Sequence, residues 1–177
     1  MIKEPGVVPN PEETADRLAI TEVIHTHSRG VDRASEAILK SCYWEDAEVD
    51  YGSYKGVAWT FCETLPKAIS RYEATQHTIT NILIKQDGNQ AAVESYVTAY
   101  HYMAREEGDT ELTYLGRYLD RFERRGNAWR IAFRHVVQDW HQNTAGTFDR
   151  DNPGLNALKR GQRLPDDISS AYFPKDQ

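Results

Sequence analysis

Only two cysteines, Cys42 and Cys62, occur in the 177 residues. That is too few for a disulfide framework, and neither has the paired Cys or His spacing of a zinc site. A reducing cytoplasm is therefore the expected setting. No window stays apolar over the roughly 20 residues a membrane-spanning helix needs. The start, MIKEPGVVPNPEE, lacks the basic segment and apolar run of a secretory signal. Positive charge is also in short supply, with 21 Lys and Arg against 27 Asp and Glu, a net charge of -6. The basic residues are scattered apart from Arg121, Arg124 and Arg125. This argues against a nucleic-acid or anionic-membrane surface, which needs clustered cations. Internal repeats and low-complexity segments are missing too.

What is present suits one domain with a full core, and ten tyrosines with four tryptophans suit a cavity lined by rings with polar edges. Pro5, Gly6 and Pro9 mark an irregular arm. Pro11-Glu12-Glu13 then reads as the acidic first turn of a helix. Leu18, Ile20, Val23, Ile24 and His27 recur at helical spacing up to Arg29-Gly30. Asp32 lies just beyond that end, and a short helix is expected over Arg33 to Lys40. Tyr43 to Tyr51 alternates like a strand, and Gly52 to Gly56 reads as its turn. A third helix is expected from about Val57 to Tyr72, interrupted or kinked at Pro66. Strands follow at about His77 to Gln86, Ala91 to Met103, Thr110 to Arg124 and Trp129 to Trp140. Gly88-Asn89, Gly108-Asp109 and Gly126-Asn127 supply the turn chemistry between them. Helices first and long antiparallel strands after make an α+β fold, with a curved sheet around helices and a hollow open to a small ligand. The domain is expected over residues 1-141. The polar tail 142-177 is expected to cover the pocket of its own or a neighbouring subunit.

Asp32 and His77 are the catalytic candidates, because a carboxylate and an imidazole buried together form a general base. Each also has a structural reading, Asp32 as the N-cap of the next helix and His77 as a satisfied core group. If the strands flanking Asp87-Gly88 pair as a hairpin, His101 comes to the same end of the sheet as His77. Two histidines and one carboxylate could also form a metal site, but the usual short-range ligand pairs are missing. Arg134 needs a polar partner if buried, either Asp32 or a substrate oxygen; otherwise it pairs on the surface with Glu94 or Asp120. Tyr51 and Tyr118 either donate phenolic hydrogen bonds to substrate or complete the core.

From Asp16 to Trp140 the chain resembles the SnoaL-like branch of the nuclear transport factor 2 superfamily. The marks are the Asp in GVDR, the strand YWEDAEVDYGSYKG, the TQH triplet and the closing RRGNAWRIAFR. The resemblance implies a cone-shaped, cystatin-like fold and a cofactor-independent lyase in which Asp32 orients His77 and His77 moves the proton. It further implies that His101 and Tyr51 are pocket residues of the scytalone dehydratase type. Arg134, Tyr118 and His27 fall where the hexachlorocyclohexane dehydrochlorinase lines its cavity. Val31, in place of a water-binding tyrosine, and Tyr118, in place of an asparagine, argue against scytalone as substrate. A small aromatic or cyclic substrate is implied, and a homodimer or homotrimer with neither metal nor cofactor. The family includes dehydratases, dehydrochlorinases, polyketide cyclases, steroid isomerases and a lyase releasing formaldehyde from lignin-derived diarylpropane diols. The last is the preferred expectation. The fold also serves non-catalytic binding modules and small subunits of ring-hydroxylating dioxygenases, which are the rivals from another class.

Overall fold

Asn10 opens the first helix with a reciprocal cap: its side chain accepts from the Glu13 main chain at 2.8 Å, and the Glu13 carboxylate accepts from the Asn10 N–H at 3.2 Å. In the computed structural model, which describes residues 6–173, this helix, α1, runs Pro11–Asp32. It buries Ile20, Ile24, His27 and Val31. The Pro5 part of the expected arm lies outside the described residues. Helix α2 is Glu36–Ser41, shorter than expected, because the Ser35 hydroxyl caps it by accepting from the Ile38 N–H at 3.3 Å. The chain then enters β1 (Tyr43–Asp50), β2 (Lys55–Val57) and α3 (Ala58–Ile69). Helix α3 runs through Pro66 and stops one turn later, where the Ser70 N–H bonds the Pro66 carbonyl.

Four long strands follow: β3 (Ala74–Asp87), β4 (Gln90–Met103), β5 (Thr110–Arg125) and β6 (Ala128–Ala145). They form one curved sheet with β1 and β2, in the order β2-β1-β6-β5-β4-β3. The hairpins turn where the glycines foretell, with Gly88 at φ 56° and Gly126 at φ 63°. Strand β1 lies parallel to β6, a long-range pairing that local pattern does not reveal. In β3 the register shifts between Thr80 and Leu83, with Asn81 at φ 49°. This bulge changes the alternation, so Ile79, Ile82 and Ile84 pack on the core while Leu83 is 61% exposed.

The core lies between α1, α3 and the concave face of the sheet, with Ile20, Ile24, Leu39, Val49, Phe122 and Ile131 at its centre. Past β6 the tail carries a short helix, α4 (Pro153–Asn156), and a 3-10 turn at Ile168–Ala171. It returns to the end of α1, where Arg33 pairs with Asp167 at 2.9 Å. Among the described residues no helix is long and apolar enough to cross a membrane.

Candidate active site

Asp32 is the last residue of α1 rather than a residue beyond it. Helix α1 approaches α2 closely at Gly30, where a Cβ would stand 3.0 Å from the Leu39 side chain. The Asp32 carboxylate meets His77 twice. Oδ1 lies 2.7 Å from His77 Nδ1, and Oδ2 accepts the His77 main-chain N–H at 2.9 Å. The structural reading of Asp32 as a helix cap does not hold, since Ser35 caps α2.

An ionised carboxylate only accepts, so Nδ1 carries the proton and Nε2 is the basic nitrogen of His77. Asp32 and His77 side chains are 13% and 9% exposed, which shields the pair while leaving His77 open to a cavity. That cavity, of about 190 Å³, is lined by Val31, Tyr51, Leu65, Ala68, Ile69, Arg71, Tyr72, His77, His101 and Tyr118.

His101 is a diagonal neighbour of His77, because Thr75 pairs with His101 and His77 with Ala99 across β3 and β4. The two imidazoles are 5.4 Å apart in an edge-to-face arrangement. Thr75 Oγ1 holds His101 Nδ1 at 2.8 Å, and Tyr72 stacks on its ring at 4.4 Å. Burial, reinforced by the neighbouring His77, pushes the His101 imidazole down to about 4. It is therefore neutral at physiological pH. Tyr72 and Arg71 are lining residues that sequence reasoning missed, since an α3 ending nearer Tyr72 hides their position at the mouth.

His27 and Arg134, expected among the substrate-binding residues, do not line this cavity. They are 1% and 0% exposed and stand one layer behind the cavity wall. Arg134 donates to both oxygens of Asp120 at 2.7 Å, an ion pair with no exposed side-chain surface. Asp120 was foreseen as a partner, but on the surface. Arg134 Nη1 also lies 3.0 Å from His27 Nδ1. A guanidinium can only donate, so Nδ1 accepts and the His27 proton sits on Nε2. From there it is directed to the Tyr43 hydroxyl, 3.0 Å away. Burial first, and the Arg134 charge second, push the His27 imidazole well below its ordinary range. Burial opposes the Arg134 charge, but Asp120, together with Tyr43 and Tyr51, more than offsets it, so Arg134 stays protonated.

This buried layer backs the cavity wall at Tyr118. Arg134 Cζ sits 4.0 Å from the centre of the Tyr118 ring. Tyr51 stacks on Phe61 at 4.2 Å, and its buried hydroxyl makes no well-formed hydrogen bond. Burial pushes the Tyr51 phenol above its ordinary value, with Arg134 opposing, so it remains a proton donor. Of the expected site residues, Asp32, His77, His101, Tyr51 and Tyr118 come together here, and His27 and Arg134 lie behind them. Among the described residues no group of three His, Cys, Asp or Glu side chains is placed to hold a metal ion.

The fold and site define a small α+β cone with a buried carboxylate-imidazole pair at one end of its cavity. The chain belongs to the SnoaL-like domain family, which matches residues 12–135. Among solved structures, a type 2 hexachlorocyclohexane dehydrochlorinase is similar at 22% identity and TM-score 0.71, over 80% of this chain and 97% of that one. A type 3 dehydrochlorinase from Novosphingobium barchaimii is similar at 21% identity and TM-score 0.69, over 78% and 96%. A scytalone dehydratase-like protein from Novosphingobium aromaticivorans is similar at 20% identity and TM-score 0.64, over 86% and 95%. No curated protein matches the sequence.

Proposed function

We propose that the protein is a cofactor-independent lyase acting on a small aromatic or cyclic substrate. The observation that carries this reading is the Asp32–His77 contact beside a cavity walled by tyrosines. Asp32 holds the imidazole in the tautomer that leaves Nε2 basic and stabilises the imidazolium formed when it takes a proton. Tyr51 lines the chamber as a protonated phenol, and turning its unpartnered hydroxyl toward substrate stabilises the oxygen that gains charge. Neutral His101 supplies a further polar edge, and Tyr118 stacks. His27 and Arg134 act through the wall, by holding Tyr118 and Tyr43. Similarity to dehydratases and dehydrochlorinases supports an elimination.

The finer reading is cleavage of a lignin-derived diarylpropane diol. Hydroxide leaves the benzylic carbon and takes up the phenol proton, giving water and a quinone methide. His77 takes the proton of the terminal hydroxyl, and the carbon-carbon bond breaks to release formaldehyde. The freed electron pair forms the stilbene double bond and restores the aromatic ring as a phenolate, which regains the proton from His77. Substrate thus becomes stilbene, water and formaldehyde. A screen of phenolic diols, run with chelator present and followed by formaldehyde release and new conjugated absorption, tests it. Activity should vanish in His77→Gln with the fold intact; full activity in that variant would remove His77 from the mechanism.

A homodimer or homotrimer is also part of this reading. Leu83, Ala92, Leu119, Phe133 and Val137 line a groove of about 590 Å³ on the outer sheet face, which supports association there. Sedimentation equilibrium tests it, and a monomer at micromolar concentration would contradict it.

A further inference from the structure

The catalytic chamber has an antechamber. A second cavity of about 430 Å³ is lined by Arg71, Tyr72, His101, Met103, Arg105, Thr110, Leu112 and Asn143. Arg71, Tyr72 and His101 line both spaces, so these side chains form the partition between them. The inner chamber, at about 190 Å³, holds little more than one substituted ring. A larger substrate must extend past the partition.

The antechamber has a charge pattern unlike the rest of the molecule. In a chain of net charge -6, its lining contains two guanidinium groups and no carboxylate. Among the described residues neither Arg71 nor Arg105 has an acidic partner. Arg71 donates to the Tyr72 hydroxyl at 3.0 Å and lies over that ring, while the Arg105 Nε points at Met103 Sδ at 2.9 Å. The other arginines at this end are engaged. Arg150 pairs with Glu73 and Asp109, and Arg163 donates to three main-chain carbonyls. Asp109 does not line the antechamber, and its carboxylate is engaged by Arg150, Tyr102 and the Arg105 main-chain N–H. Two cations without counter-ions beside a cavity, flanked by the amide of Asn143 and the hydroxyl of Thr110, are complementary to an anion.

We infer that the substrate is bipartite and anionic, with a phenolic ring in the inner chamber beside His77 and a carboxylate-bearing end in the antechamber between Arg71 and Arg105. The inference rests on the lyase reading for the orientation of the ring, but its recognition step is separate from turnover. For a diarylpropane diol it places the carboxylate on the ring farther from His77. The arginines fix which end enters first and keep the reacting carbon at the partition.

The test is a matched pair of non-reacting probes, 3-(4-hydroxyphenyl)propanoate and 3-(4-hydroxyphenyl)propan-1-ol, titrated by calorimetry into the full chain. The carboxylate should bind about tenfold more tightly than the alcohol at low salt. That preference should shrink as ionic strength rises. In Arg71→Gln and Arg105→Gln, each checked for an unchanged melting temperature, the ratio of the two affinities should fall toward one. Equal affinities in the unaltered protein, failure of the carboxylate to bind, or a preference that survives both substitutions overturns the inference. Repeating the titrations in His77→Gln separates the two proposals, since that variant loses turnover under the lyase reading but keeps the carboxylate preference under this one.

Discussion

Arg163, far along the tail, donates from Nη1 to the main-chain carbonyl of Asp32 at 2.5 Å, and from Nη2 to those of Ile69 and Tyr72 at 3.3 and 3.1 Å. One guanidinium thus ties the end of α1 to the end of α3, and both ends carry cavity residues. It also places a cation at the negative end of the α1 dipole.

Arg163→Ala should therefore lower turnover without removing any group that touches substrate. A loss of roughly tenfold to a hundredfold in kcat is expected, because displacing a base by about an ångström has that effect. Steady-state kinetics on a substrate found by the diol screen measures it. An unchanged kcat would show that the tail does not position the dyad.

Asp32→Asn should cost more. The amide oxygen can still accept from Nδ1, but it carries no charge to stabilise the imidazolium, and the amide can flip to favour the wrong tautomer. kcat should fall by about 100-fold to 10,000-fold with little change in circular dichroism. Retention of more than half of the activity would exclude a role for Asp32 in proton transfer.

The Arg134–Asp120 pair is expected to be structural. Arg134→Met leaves the fully buried Asp120 carboxylate without its partner, and should lower stability by about 3–5 kcal/mol in urea denaturation. Combining it with Asp120→Leu removes the orphan charge and should restore most of the loss. Additive destabilisation in the double variant would contradict a coupled pair.

Acid should destabilise the fold through two imidazoles. His27 lies well below 6.5, chiefly by burial, and His101 is at about 4. Both folded-state values lie below the unfolded value, so the unfolded chain takes up protons first as pH falls. Their contribution is complete above about 6.5 and is lost as pH drops toward 4. Urea midpoints at about pH 7.5, 6, 5 and 4.5 read this slope. The slope should be shallower in His101→Asn, and an identical slope would remove His101 from the acid response.

The thiols should be inert in the folded chain. Burial pushes Cys42 up to about 11 and Cys62 up to about 12, so almost no thiolate exists at neutral pH. A disulfide reagent should label neither until denaturant is added, when both react. Prompt labelling of the native protein would mean that the core around α2 and α3 opens readily.

Local pattern carried much of the architecture. The Gly-containing turns between the long strands and the apolar spacing of α1 are short-range features, so helix, hairpins and strand order from β3 to β6 follow from neighbours in sequence. The hairpin about Gly88 also brings His77 and His101 to one end, because side-chain alternation and distance from the turn are countable. The β3 bulge was not countable, since Asn81 in a left-handed conformation changes which isoleucines face inward. Nor was the end of α1, where whether Asp32 caps or continues the helix depends on a partner 45 positions away.

Composition and periodicity alone determined an acidic α+β domain with helices before a meander, because those depend on residue type and on spacing of a few positions. Only the tertiary structure decided which polar groups face the cavity. Arg134, His27 and His101 are equally polar in sequence. The packing of α1 under the sheet nevertheless sends the first two behind the wall, to Asp120 and Tyr43, and leaves the third beside His77. Burial and partnership are properties of three-dimensional neighbours, and the chain order does not contain them until the sheet has curved.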